Sequence, residues 1–200
     1  HDGDIVPNTP LLEKNGNVYT LKEDFFGTIW IQANNIVLDG AGYTLQGLRL
    51  RGSNLRGPSE PDCMNIIVKD LKMVNSSLLA VGGGNHTFID NTFEDSEIFF
   101  TATIAIGDDL FKNNTFVNVR FSFTYGGGSL VVMSENNFLN MKMLAFGSYF
   151  PKLDRNYYND YTLKYPNATQ VSNSDIWNTP YIMPIEEQVI QSQIQWIIIL

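Results

Sequence analysis

Acidic side chains concentrated in two neighbouring stretches are the first candidates for chemistry in this sequence. The stretches contain Asp90, Glu94, Asp95, Glu97, Asp108 and Asp109, and the bases Lys112 and Arg120 follow them. Carboxylates that converge beside a base can hold Ca²⁺ and assist proton abstraction, and a pair at a defined separation can hydrolyse a glycosidic bond. These acidic positions do not recur at matching places in successive segments. We therefore interpret them as a solvated acidic face and assign no catalytic residue.

Residues suited to metal or nucleophilic chemistry are few. His86 is the only histidine besides His1, Cys63 is the only cysteine, and six methionines are scattered along the chain. Zinc and copper sites draw several ligands from His, Cys or Met, so we predict no metal site and no cofactor. A nucleophilic pair of Cys63 and His86 stays open as a minor alternative.

A recurring sequence motif, in which an apolar residue precedes Asn or Asp by two places, indicates the elements that would position any such site. Its members are Met73 with Asn75, Phe93 with Asp95, Phe116 with Asn118, Phe138 with Asn140, and Tyr157 with Asn159, with anchors 20, 23, 22 and 19 residues apart. Periods of this size indicate stacked supersecondary units. Short β-favouring runs bounded by Gly, Asn and Asp, without a helical period, predict that each unit is made of strands.

The repeat therefore predicts an all-β, single-domain parallel β-helix, a solenoid of about six or seven coils stacked at roughly 4.8 Å. Like residues should stack in columns. Phe93, Phe116, Phe138 and Tyr157 are predicted to form an aromatic column, with Asn75, Asp95, Asn118, Asn140 and Asn159 as a ladder at the adjacent bend. Asn and Asp suit that bend because they tolerate left-handed backbone and can bond to the coils above and below.

Two parts of the sequence resemble a known family. "NGNVYTLKEDFFGTIWIQANNIVLDGAGYTLQG", with "RNYYNDY" and "DIWNTPYIM" near the end, is similar to the NosD-like repeat proteins of the pectate-lyase fold, of the archaeal secreted surface type. The resemblance implies a right-handed β-helix over residues 1–184. We divide this region into an entry coil (1–34), repeat coils (35–165) and a cap-like segment (166–184), followed by an apolar tail (185–200). An accessory role in metal-centre maturation, also implied by the resemblance, is disfavoured by the lack of a Met, His or Cys cluster.

Composition limits the partners. The formal net charge is −8, which argues against nucleic acid and against anionic membranes, since both require a basic surface. The apolar run Trp196, Ile197, Ile198, Ile199 and Leu200 is much shorter than the roughly 20 residues of a membrane span. Four N-x-Ser/Thr sequons, at Asn75, Asn85, Asn113 and Asn167, are glycosylation candidates and weakly favour secretion to the extracellular cell surface.

The function favoured by these features is structural. We expect an extracellular protein that self-assembles through its open β-helix ends and its tail, with Trp196 to Leu200 contacting another copy, to build a surface layer, sheath or filament. An enzymatic role is left open but is not favoured. The alternative is a carbohydrate-binding or polysaccharide-cleaving module, in which Tyr158 would point outward beside the aromatic column and stack on a sugar.

Overall fold

The computed structural model describes residues 9–51, 63–81, 83–102, 107–125, 131–140, 142–146, 151–170, 179 and 181. It confirms the predicted fold class: parallel sheets stack into an all-β solenoid of about five turns. The predicted six or seven coils were too many. The first two turns, built by the chain from Val18 to Arg51, contribute strands to only two of the three sheets. Counting strand-forming segments in the sequence treats these incomplete first turns as full coils, so the predicted number of coils was too high.

Each strand is short, and most are bounded by turn-forming residues. The strands are β1 (Leu12–Asn15), β2 (Val18–Leu21), β3 (Phe25–Ile31), β4 (Val37–Asp39), β5 (Leu45–Arg51), β6 (Ile67–Lys69), β7 (Lys72–Val74), β8 (Ser77–Val81), β9 (Thr87–Ile89), β10 (Thr92–Glu94), β11 (Glu97–Ala102), β12 (Asp109–Lys112), β13 (Thr115–Val117), β14 (Arg120–Tyr125), β15 (Val131–Ser134), β16 (Asn137–Leu139), β17 (Lys142–Phe146), β18 (Lys152–Asp154) and β19 (Tyr157–Tyr158), and one short helix, α1 (Tyr161–Lys164), follows.

The strands form three sheets. Sheet A has the order β1-β2-β4-β6-β9-β12-β15-β18, sheet B the order β17-β14-β11-β8-β5-β3, and sheet C the order β19-β16-β13-β10-β7. Among the strand pairs of the described ranges, only β1 with β2 is antiparallel. This hairpin places β1 along the N-terminal edge of sheet A, so the solenoid begins with one strand that runs against the others.

Left-handed backbone at the bends explains the Asn and Asp content. Asn75, Asp95, Asn118 and Asn140 follow sheet C strands with φ between 47° and 58°. A second set with φ in the same range lies between sheets A and C, at Asp70, Asp90, Asn113, Glu135 and Arg155. This conformation costs most L-residues about 1–2 kcal/mol, and Asn and Asp adopt it at the least cost.

The predicted ladder forms for most of its length. Asn118 donates its side-chain amide to Asp95 Oδ1 at 2.9 Å, and Asn140 donates to Asn118 Oδ1 at 3.2 Å. Asn159 departs from the pattern, because it follows the column residue by one place and lacks a positive φ. Its Oδ1 still accepts from the backbone of Asn140 at 3.3 Å.

The aromatic column stands at successive levels inside sheet C. Phe93 pairs with Phe116 and Phe116 with Phe138, with ring centroids 5.2 Å apart in both steps. The assignment of Tyr157 to this column was wrong. Tyr158 is the residue opposite Phe138, with ring centroids 5.3 Å apart, while Tyr157 is 58% exposed. Tyr158 therefore cannot serve as the outward sugar platform that the alternation of side chains had predicted.

A second asparagine ladder between sheets A and C was not predicted, and all of its members except the partly buried Asn156 are buried. Its members are Asn91, Asn114, Asn136 and Asn156, each two residues before a column aromatic. Asn114 shows the pattern: its amide donates to Phe88 O at 2.9 Å and to Asn136 Oδ1 at 3.0 Å. Its own Oδ1 accepts from the backbone N–H of Asn91 at 3.0 Å. The ladder thus satisfies backbone groups that the bend would otherwise leave buried without partners.

Tyrosines close the described C-terminal end of the column. The Tyr181 ring lies parallel to that of Tyr158 with centroids 3.8 Å apart. Its hydroxyl donates to the Asp160 carboxylate at 2.8 and 2.9 Å, and the Lys164 ammonium lies 4.4 Å from its ring centroid. The last strand of sheet C is therefore covered. The tail 185–200 and most of the cap-like segment 166–184 lie outside the described residues.

Candidate functional site

The acidic residues lie on different surfaces and do not converge. Asp90 and Asp95 lie in bends at opposite ends of β10, and Glu94, Glu97 and Asp108 are exposed. Asp109 is buried, and its carboxylate accepts from the backbone N–H of His86 at 2.8 Å. Across the parts of the chain that the structure describes, no group of three or more His, Cys, Asp or Glu residues is arranged to hold a metal ion.

Cys63 and His86 are both buried, but they do not form a nucleophilic pair. The Cys63 thiol donates to Ile31 O at 3.5 Å, and burial raises its pKa to about 12, so it stays protonated at neutral pH. Both ring nitrogens of His86 lack a hydrogen-bond partner, and burial lowers the pKa of the imidazole to about 4. A general base would have to accept a hydrogen bond from the thiol, and His86 does not.

The edges of the three sheets are the places where the fold leaves backbone groups available. Charge protects most of them: β1, β7, β17 and β18 each contain at least one Lys, Glu or Asp. Strand β19 has only two residues, and Tyr181 covers its buried tyrosine. Natural sheets discourage unwanted pairing at their edges by such charges and covers.

Strand β3 is the exception among the edge strands described. Its seven residues, FFGTIWI, contain no charge and no proline, and within the described ranges it pairs only with β5. Phe26 is 76% exposed and Trp30 is 51% exposed. A long, uncharged, aromatic edge strand is a strong candidate for pairing with another strand.

Local contacts hold β3 in place from one side. The backbone N–H of Phe25 donates to Thr44 O at 2.8 Å, and Asp24 accepts from the N–H of Thr44 at 2.7 Å. The register with β5 shifts by one residue between Phe25 and Thr28, as in a β-bulge. The guanidinium of Arg49 lies 5.1 Å from the Trp30 ring centroid and helps to fix the indole.

The core is also less completely covered at this end. The inward side chains of Phe25 and Ile29 are only partly buried, whereas Leu45, Leu48 and Leu50 one strand further in are fully buried. Burial of an apolar side chain contributes about 1.5–3 kcal/mol when it is complete. A second strand placed along β3 would therefore gain apolar contact as well as backbone hydrogen bonds.

Of the predicted glycosylation and subunit-contact residues, only the glycosylation candidates lie in the described part of the chain. The glycosylation candidates Asn75, Asn85, Asn113 and Asn167 are all exposed, whereas the predicted contact residues Trp196 to Leu200 lie outside the described residues. Phe26 and Trp30 are candidate contact residues that were not predicted from the sequence. Their signal was the uncharged run with outward aromatics four places apart, but its position at a sheet edge depends on strand order.

Comparison with known proteins identifies no relative. No protein-family model matches the chain. No curated protein and no solved structure matches it either. Among the described residues, no helix is long and apolar enough to cross a membrane. The class of protein is therefore defined by the fold, a parallel β-solenoid, and the NosD-like type suggested by the sequence stays a hypothesis.

Proposed function

We propose that this chain is an extracellular structural protein that self-associates through the free edge at its solenoid end and through its apolar tail. The observation that carries the proposal is β3, an uncharged edge strand with Phe26 and Trp30 exposed beside a partly covered core. Copies joined in this way would build a surface layer, sheath or filament.

The tail supplies a second contact. Residues Trp196 to Leu200 are rich in the β-branched and aromatic types that favour strands. A strand of this composition is suited to pairing with a sheet edge of another copy. With two different contacts, each copy binds two others, so the assembly grows beyond a pair.

Self-association is tested by measuring molar mass with light scattering during size-exclusion chromatography. The intact chain is expected to exceed its monomer mass of 22.6 kDa. Trp30→Glu should lower the mass, because a carboxylate on β3 opposes strand pairing. Tyr157→Glu is the matched control, since it places the same charge on another exposed aromatic. Deleting Gln191 to Leu200 tests the tail contact in the same assay. An intact chain that stays monomeric at all concentrations would contradict the proposal.

Secretion is the proposed location, supported by the resemblance to the archaeal secreted surface type and by four exposed sequon asparagines. Expression through the secretory pathway of a glycosylating host should yield a protein that loses mass on endoglycosidase treatment. Replacement of Asn167 by Gln should remove one step of that shift if this site carries a glycan. No shift in any sequon variant would remove the glycosylation argument.

A second candidate function is carbohydrate binding, which the geometry of Trp30 and Arg49 favours. The indole is half exposed, and the guanidinium 5.1 Å from its ring centroid could donate hydrogen bonds to a sugar stacked beside it. Binding to a glycan array that is lost in Trp30→Ala but retained in Tyr157→Ala would support this function. Binding that requires neither aromatic would place the glycan site elsewhere.

A further inference from the structure

We propose that two copies of this chain pair β3 with β3 in an antiparallel arrangement around a two-fold axis at Thr28. The inference rests on the proposed function and names the surface and symmetry of one of its contacts. The two six-stranded B sheets would then form one continuous sheet across the dimer. Such a contact closes on itself, so it defines a dimer, and growth beyond the dimer falls to the tail.

The partner strand is inferred from the charges and covers of the described edge strands. A strand that pairs with β3 must itself offer an unprotected edge. Within the described ranges, every other edge strand contains a charged residue or, in the case of β19, is covered by Tyr181. Among the described edges, the matching one on a second copy is its own β3, which makes the interface isologous. The apolar tail is the competing strand, and cross-linking at Thr28 distinguishes the two.

The register follows from the middle of the strand. Thr28 is the central residue of Phe25–Ile31, so a two-fold axis there aligns the strand with its copy, and the β-bulge between Phe25 and Thr28 faces the regular half of the partner strand. Phe26 then lies opposite Trp30 of the second copy, twice, on the outward face. Cross-strand aromatic pairs of this kind contribute roughly 0.2–1 kcal/mol each beyond alanine pairs. Side chains alternate along a strand, so outward residues lie opposite outward residues only when the two residue numbers of each pair add up to an even number, as they do here.

The inward side of the pairing is also compatible. Gly27 lies opposite Ile29 of the second copy, so the small residue faces a branched one. The partly buried Phe25 and Ile29 of both copies would be covered by the opposing strand. Asp24 would face Gln32, and no two like charges would lie directly opposite each other. Opposed like charges are the feature that makes antiparallel pairing unfavourable.

A single cysteine tests both the strand and the register. In the full chain, Thr28→Cys should form a disulfide-linked dimer rapidly under dissolved oxygen with copper phenanthroline. Directly opposed residues of an antiparallel pair have Cα atoms about 4.5–5.5 Å apart, which suits a disulfide. The native Cys63 is fully buried and should not interfere. Gln32→Cys is the control, because it faces Asp24 and not itself.

Three outcomes decide the question. Fast cross-linking of Thr28→Cys but not of Gln32→Cys supports the pairing, as does a roughly tenfold weaker dimer in Thr28→Lys, which opposes two ammonium groups. Oligomers by light scattering without Thr28→Cys cross-linking would overturn the β3 pairing while leaving self-assembly intact. A chain that is monomeric throughout would overturn the proposed function and this inference together.

Discussion

At the scale of single residues, each repeat contains two Asn or Asp positions with different structural roles. The outer set, at Asp95, Asn118 and Asn140, is exposed and tolerates left-handed backbone. The inner set, represented by Asn114, is fully buried and completes the hydrogen bonding of neighbouring coils. The inner set should contribute more to stability, because an unsatisfied buried polar group costs about 1–3 kcal/mol, whereas an exposed one can bond to water.

Replacing one asparagine from each set should separate these roles. Asn114→Ala leaves the Asn91 N–H without its acceptor and removes the side-chain hydrogen bond to Phe88 O, so we expect the free energy of unfolding to fall by about 3 kcal/mol. Asn118→Gly is the matched control, since glycine keeps the positive φ, and it should cost less than about 1 kcal/mol. Urea denaturation followed by circular dichroism measures both. Equal losses would show that burial of the ladder is not what matters.

His86 should make stability depend on pH in a defined window. Burial lowers its pKa to about 4 in the folded chain, whereas an unfolded histidine titrates near about 6.5. Above that value the imidazole is neutral in both states. As the pH falls from about 6.5 to about 4, the unfolded state takes up the proton first, and the free energy of unfolding should drop by about 3 kcal/mol.

The matched variant is His86→Leu, which removes the titrating group but keeps a buried side chain of similar size. The difference in free energy of unfolding between the two proteins should then vary with pH between about 6.5 and about 4 and stay constant above it. Contributions from carboxylates cancel in this difference. A difference that is the same at every pH would show that His86 is accessible to protons in the folded state.

At the scale of elements, the end of the aromatic column shows how register is set. The last repeat contains two adjacent tyrosines, Tyr157 and Tyr158. The second asparagine ladder determines which of them faces the core. Asn156 accepts from the backbone N–H of Asn136 at 2.9 Å, and the residue two places after it, Tyr158, enters the column. A one-residue slip reverses the face of every side chain in a strand, so the hydrogen bonds of Asn156 to Asn136 and to Met133 O fix the facing of the whole strand.

Alanine substitution distinguishes the two tyrosines. Tyr158→Ala removes a buried ring stacked between Phe138 and Tyr181, and we expect a loss of about 3–4 kcal/mol. Tyr157 is 58% exposed. Its replacement by alanine should therefore change stability by no more than about 0.5 kcal/mol. Thermal unfolding monitored by circular dichroism gives both values. A larger effect at Tyr157 would contradict the register of β19.

At the scale of the whole molecule, assembly and charge act against each other. Each copy carries a formal net charge of −8, so copies repel one another at low ionic strength. The proposed contact at β3 contains no charged residue, and salt should not weaken it. Raising NaCl from about 20 mM to about 500 mM shortens the screening length severalfold and should increase the oligomer fraction measured by light scattering. Dissociation by salt would indicate an interface held by ion pairs.

The sequence alone determined the class of fold and the positions of its bends. A repeat of about 20 residues that combines a large apolar residue with Asn or Asp is compatible with few folds. Stacking like over like in a β-solenoid is the one that buries the anchors Met73, Phe93, Phe116 and Phe138. Local chemistry was enough for most bends, because the cost of left-handed backbone favours Asn and Asp, although Glu135 and Arg155 occupy two of them. The column of Phe93, Phe116 and Phe138 could be read in the same way.

Tertiary structure decided the rest. The choice of Tyr158 over Tyr157 required the buried partner of Asn156. That Cys63 donates to Ile31 O and not to His86 could be seen only once both residues were placed in the core. The free edge of β3 depended on strand order, because the backbone of the same seven residues would be paired on both sides if another coil lay beyond them. The repeat specifies which residues stack on each other, but only the strand order shows which of the described edge strands is left without a neighbour.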